Sequence, residues 1–186
     1  MDMYQLKWTR LQSEMFRFLC IKAGQSFNLR NIAASLKVSP TAVSKALKGI
    51  EPLIKIKKVE KINLFSIELD RNNRKAIQLK RVENLKMVYE SGLADFIFEE
   101  FPGCTTIVFG SYALGEDVGY GDKDERSSDI DIAIVGTKGK EINLKKYSLL
   151  LERKIHLNFY KSWADIPKQL KNNILQGIVL NGGVEL

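Results

Sequence analysis

This chain has little of what staples or anchors a protein. Two cysteines, one histidine and four prolines occur in 186 residues. A single histidine beside two cysteines excludes a zinc site built from imidazole and thiolate alone. Cys20 and Cys104 lie in unrelated apolar stretches, so each is expected as a buried, reduced thiol. No apolar run approaches the roughly 20 residues that a bilayer-spanning helix needs. The opening "MDMYQLKWTR" lacks the apolar core of a secretory leader, so a cytoplasmic location without a membrane partner is expected.

Charge is present in abundance but unevenly placed. Residues 1–81 hold 17 Lys and Arg against 6 Asp and Glu, a net +11; residues 82–186 hold 12 against 16, a net −4. A basic part and an acidic part imply two modules with different partners, and the basic one invites a polyanion.

The basic part carries three helical patterns. Leu11, Met15, Phe18 and Leu19 recur at helical spacing over 10–22. In "NLRNIAASLKV", Asn28 is placed as an N-cap before Leu29, Ile32, Ala33 and Leu36. In "SPTAVSKALKGI", Ser39 caps a helix with Pro40 at its first position, and Val43, Ala46, Leu47 and Ile50 form the inner face. Two alternating segments follow. Ile54 and Ile56 alternate with Lys55 and Lys57, while Phe65, Ile67 and Leu69 share one face of "NLFSIEL".

Three short helices and a basic hairpin make a winged helix-turn-helix. The segment "IAASLKVSPTAVSKALKGIEPL" resembles winged-helix DNA-binding proteins. The resemblance implies that the third helix enters the major groove, presenting Ser39, Thr41, Ser44, Lys45 and Lys48. Lys55, Lys57, Lys58 and Lys61 would then reach phosphates from the wing. DNA is the implied partner, and a palindromic target would require a homodimer.

The stretch "DRNNRKAIQLKRVENLKMVYESG" reads as a linker helix, with Asp70 or an Asn as its cap and Leu79, Val82, Leu85, Val88 and Tyr89 as its apolar stripe. Three further apolar strand segments alternate with helical ones, which calls for a mixed sheet. The expected fold class is α+β, in three parts. A winged helix-turn-helix spans 1–70, a linker helix 71–91, and a small mixed α/β domain 92–186.

The strongest chemical signal lies in "FGSYALGEDVGYGDKDERSSDIDIAIV". Alternation along a strand puts Asp129 and Asp131 on one face, where two carboxylates repel unless solvent or a hard divalent cation relieves them. Magnesium suits that role, since it bridges one or two carboxylates to substrate phosphates. Gly110 and Ser111 end a preceding strand, where a glycine lets phosphate approach the backbone and a hydroxyl can donate to it.

"FGSYALGE" followed by "SDIDIAIV" resembles the minimal nucleotidyltransferases of the DNA polymerase β superfamily. The resemblance implies that Gly110 and Ser111 hold a nucleoside triphosphate and that Asp129 and Asp131 bind Mg2+. A nucleoside monophosphate would then pass to a hydroxyl acceptor, including a toxin-like partner protein as in toxin–antitoxin systems. The family usually adds a third carboxylate on a following strand. Here "KIHLNFY" offers His156, which could act as a base instead, with Glu152 just ahead of the strand. Leu114 stands where the family often has arginine. The acidic residues Glu116, Asp117, Asp122, Asp124 and Glu125 read as a solvated loop, or as a lid over the site. Two functions follow from these residues. One is a magnesium-dependent nucleotidyltransferase with a DNA-binding head. The alternative is a non-catalytic DNA-binding transcriptional regulator whose degenerate transferase-like domain senses nucleotide.

Overall fold

A computed structural model describes residues 7–59, 64–119 and 127–184. The chain divides into two compact units, Met1–Ala76 and Ile77–Leu186.

In the first unit, helix α1 (Arg10–Ile21) opens on a capping box. Thr9 Oγ1 accepts from the Gln12 amide at 3.3 Å, and Gln12 Oε1 accepts from the Thr9 amide at 2.8 Å. Helix α2 (Leu29–Leu36) is capped by Asn28, whose Oδ1 accepts from the Asn31 amide at 2.9 Å. Helix α3 (Pro40–Ile50) starts as its sequence requires, with Ser39 Oγ accepting from the Ala42 amide at 3.2 Å and Pro40 at the first position. Its buried residues are Val43, Ala46, Leu47 and Ile50. They meet Met15, Phe16, Leu19 and Ile32 in a common apolar interior, all of them nearly inaccessible to solvent.

A short 3-10 turn (Glu51–Leu53) leads into strand β1 (Ile54–Val59), which pairs antiparallel with β2 (Leu64–Leu69). Ile54 faces Leu69 and Ile56 faces Ile67, so these four residues share one face of the hairpin. Phe27, between α1 and α2, adds an isolated antiparallel bridge to Ile67. Three helices followed by a hairpin give the architecture of a winged helix.

Helix α4 (Arg74–Glu90) begins on Asn73, whose Oδ1 accepts from the amides of Lys75 and Ala76 at 2.9 and 3.3 Å. Val88 is buried as the apolar spacing predicts, but Val82 and Tyr89 are exposed, and Ala76, Lys80, Asn84 and Met87 are buried outside that stripe. A lysine and an asparagine lie on the inner face because a carboxylate meets them there, as described below.

The second unit continues with α5 (Leu93–Glu100), β3 (Thr105–Phe109), α6 (Gly110–Leu114), β4 (Ile130–Val135), α7 (Lys145–Leu151), β5 (Ile155–Tyr160), α8 (Lys168–Leu175) and β6 (Ile178–Asn181). The strands form one mixed sheet in the order β5-β4-β3-β6. β3 is antiparallel to both β4 and β6, whereas β4 and β5 are parallel. Ile107, Phe109, Ala133 and Val135 pack with Ile166 and Ile174 on one face. Val108, Ile130, Ile132 and Ile134, alternate residues of the same strands, are buried on the other. Among the described residues, no helix is long and apolar enough to cross a membrane.

Candidate nucleic-acid interface and acidic motif

Helix α3 sorts its side chains by period. With Val43, Ala46, Leu47 and Ile50 inside, the outer surface carries Thr41, Ser44, Lys45 and Lys48, all exposed. The Ser39 hydroxyl is engaged in capping, so it holds the start of the helix while remaining at the surface. Thr41, Ser44, Lys45 and Lys48 therefore form one polar, basic face able to donate hydrogen bonds to base edges and phosphates.

The hairpin lysines do not act alike. Lys55 and Lys57 project from the face opposite Ile54 and Ile56. There Lys55 Nζ lies 3.0 Å from Asp70 Oδ1, and Lys57 Nζ 3.6 Å from Glu68 Oε1. Glu68 also accepts from Ser26 Oγ at 3.1 Å. The Asp70 carboxyl is held below the ordinary carboxylate value, first by its hydrogen bond from Lys55. Part of the hairpin's positive charge is thus neutralised in place. Lys58, directly opposite Phe65 on the other face, is exposed and forms no ion pair with a described residue. Lys61 lies outside the described residues.

The second unit gathers the acidic motif at one end of its sheet. Asp131 on β4 stands opposite Phe109 of β3 and beside His156 of β5. Asp129 precedes β4, and its Oδ2 lies 3.1 Å from His156 Nε2. Gly110 has φ +74, and a Cβ built there would lie 3.3 Å from Asp131 Oδ2. Glycine therefore serves two purposes here: it adopts the left-handed backbone, and it leaves room beside the carboxylate. The structure brings Gly110, Asp129, Asp131 and His156 together, with Ser111 at the start of α6. Burial raises the Asp131 carboxyl above the ordinary carboxylate value; His156 opposes this and Asp129 adds to it.

A hard cation would relieve that strain by supplying positive charge to both carboxylates. Among the described residues, no group of three or more His, Cys, Asp or Glu could hold a metal ion by itself. Two aspartates fit magnesium only where phosphate and water complete its shell. The strand expected to carry a third carboxylate carries His156 instead, and that ring is engaged with Asp129. Glu152 is exposed at the end of α7, in a left-handed conformation.

Sequence reasoning missed a buried polar cluster in the same unit. Asp117 is fully buried, not part of a solvated loop. Its carboxylate is ion-paired with Lys80 and accepts from Asn84 Nδ2 at 2.7 Å and Arg153 Nη2 at 2.9 Å. Asn84 also donates to the Tyr112 carbonyl at 2.8 Å. Glu116 next to it is exposed, and Asp122, Asp124 and Glu125 lie outside the described residues. One residue further on, the Val118 amide donates to Ser128 Oγ at 3.0 Å and the Ser128 amide to the Val118 carbonyl at 3.1 Å. Asp117 thus anchors the segment that pairs with Ser128, the neighbour of Asp129. The signal available in sequence was an i, i+4 Lys80–Asn84 pair on a helix, which says nothing of its partner.

No protein-family model and no curated protein matches this chain. Solved structures similar to part of it include two variants of ZitR from Lactococcus lactis. They are 24% and 25% identical, with TM-scores of 0.40 and 0.38, and are covered over 64% and 65% of their length by 52% and 53% of this chain. Another is the adhesin competence repressor AdcR of Streptococcus pyogenes, 18% identical with a TM-score of 0.40, where 51% of this chain covers 69% of that one. The chain thus spans less than two thirds of the ZitR variants. The resemblance to the minimal nucleotidyltransferases is corrected by these findings. No family model and no curated protein, transferase or other, matches, and the solved structures named above are ZitR variants and a repressor. The physical counterpart is the missing third carboxylate, replaced by an imidazole bonded to Asp129.

Proposed function

We propose that this protein is a DNA-binding transcriptional regulator. In this reading the first unit docks α3 in the major groove, and the second unit senses a magnesium-bound nucleotide through Gly110, Ser111, Asp129 and Asp131. The observation that carries the reading is the exposed face of α3. Thr41, Ser44, Lys45 and Lys48 project from a helix whose other side is fixed in the core, in a sequence region with a net +11. Phosphate neutralisation supplies most of the affinity of such a surface, and side chains on the helix supply selection.

The test is fluorescence anisotropy of the full chain with duplex DNA across a series of salt concentrations. Affinity is expected to fall linearly on a log–log plot. Lys45→Gln with Lys48→Gln should lower the slope by about 2. Binding that ignores salt, or ignores both substitutions, would refute groove docking. The sensing half is read by titrating nucleoside triphosphate with and without magnesium, against Asp129→Ala/Asp131→Ala. Magnesium-dependent binding lost in that variant is the expected result.

A further inference from the structure

A second concave site lies within the first unit, at the end of α3 far from Ser39. It is a cavity of about 350 Å³ lined by Lys7, Trp8, Gln12, Gly49, Pro52 and Lys75, among others. Gly49 leaves room for the Gln12 side chain, which a Cβ there would strike. Gln12 itself is fixed, its Oε1 accepting from the Thr9 amide and its Nε2 donating to the Ala46 carbonyl at 3.3 Å. Trp8 packs on Phe16 with ring centroids 5.0 Å apart. Asn73 donates to the Pro52 carbonyl at 2.8 Å and accepts from the Lys75 amide at 2.9 Å, which ties the backbone of Lys75 to the 3-10 turn.

The walls therefore combine one anchored indole and two ammonium groups. None of the described lining residues is acidic, and neither lysine is ion-paired with a described residue. That chemistry has a matching ligand class. An aromatic ring gains from the indole, an anion gains from two lysines, and 350 Å³ falls within the range of small-molecule pockets. We infer that this cavity binds an aromatic phosphate monoester of mononucleotide type, with the ring against Trp8 and the phosphate between Lys7 and Lys75. The two cations make it independent of divalent metal, unlike the magnesium-dependent sensing proposed above for Asp129 and Asp131.

Calorimetric titration of the full chain with adenosine monophosphate in EDTA tests this. One site is expected, weakened about tenfold or more by Lys7→Gln/Lys75→Gln, two exposed residues whose loss leaves the circular dichroism unchanged. Trp8→Ala should weaken it likewise, and Asp129→Ala/Asp131→Ala should bind as the parent does. Adenosine, lacking phosphate, should bind at least tenfold more weakly, on the order of one lost charge-assisted contact. A 5′-phosphorylated trinucleotide separates the two sources of this chemistry. Tighter binding than the monophosphate at the same lysines points to a strand end, and weaker binding to a free nucleotide. The inference is overturned by no binding in EDTA, by unchanged affinity in the double-lysine variant, by adenosine equalling the monophosphate, or by loss of binding in the aspartate variant.

Discussion

Asp117 and Arg153 meet at 2.9 Å with both side chains buried, 36 residues apart in the chain. Lys80 pairs with the other carboxylate oxygen, so this carboxylate bridges two buried cations. Three segments converge on it: α4, the chain after α6, and the turn between α7 and β5.

Because Asp117 touches both cations, the three charges are unequal under substitution. Asp117→Asn removes the charge of the buried carboxylate that Lys80 and Arg153 share and should cost about 3–5 kcal/mol. Lys80→Met removes one of two cations and preserves an unbranched side chain, so it should cost less than half as much. Urea unfolding monitored by circular dichroism gives both values. Equal losses would mean that Lys80, not Asp117, holds the cluster.

Gly115 lets that cluster form. It ends α6 with φ +77, and a Cβ there would lie 2.6 Å from the Ile77 carbonyl oxygen and 2.9 Å from the Arg81 amide nitrogen. Both are backbone atoms of α4, which cannot rotate aside. Gly115→Ala should destabilise by about 2–4 kcal/mol, combining left-handed strain with overpacking. Gly103→Ala is the control, since φ is +78 there but the space is open. It should lose only about 1 kcal/mol.

The Asp131 carboxyl is raised above its unfolded value, chiefly by burial. The folded chain therefore binds this proton more readily than the unfolded chain does. Stability from this group is fully present below the unfolded value, about 4, and is lost as pH rises through the folded value. Asp131→Asn should raise the thermal midpoint at pH 7, with the gain shrinking to nothing as pH falls below the usual carboxylate range. Magnesium bound by Asp129 and Asp131 should narrow the gap at pH 7. A lower midpoint for Asp131→Asn at pH 7 would contradict burial as the cause.

Local signals in the sequence were readable wherever the partner was near. Asn28 and Ser39 cap the helices their neighbours predict, and the hairpin register follows the alternation of Ile54, Ile56, Ile67 and Leu69. The pairing of Asp129 and Asp131 on one face follows from strand period. The buried side of α4 was not legible, because Lys80 and Asn84 are drawn inward by a carboxylate 37 and 33 residues away. β6 was missed for a related reason. It is four residues long, begins right after Gly177, and exists by pairing with β3. The resemblance set His156 in the place of a third carboxylate, and the parallel pairing of β4 and β5 puts it beside Asp131.

The wing lysines give the sharpest contrast for DNA binding. Lys57 sits 3.6 Å from Glu68 and Lys55 3.0 Å from Asp70, whereas Lys58 faces Phe65 and forms no ion pair with a described residue. A lysine already paired releases fewer counterions when it meets a phosphate, so its removal changes the salt dependence less. Lys58→Gln should lower the log–log salt slope by about 1, and Lys57→Gln by well under 1. Glu68→Gln should do the opposite, freeing Lys57 and tightening binding at low salt. The three slopes come from one anisotropy series. Equal effects of Lys57→Gln and Lys58→Gln would mean that the wing meets DNA through its Lys55–Lys57 face, with Asp70 and Glu68 displaced on binding.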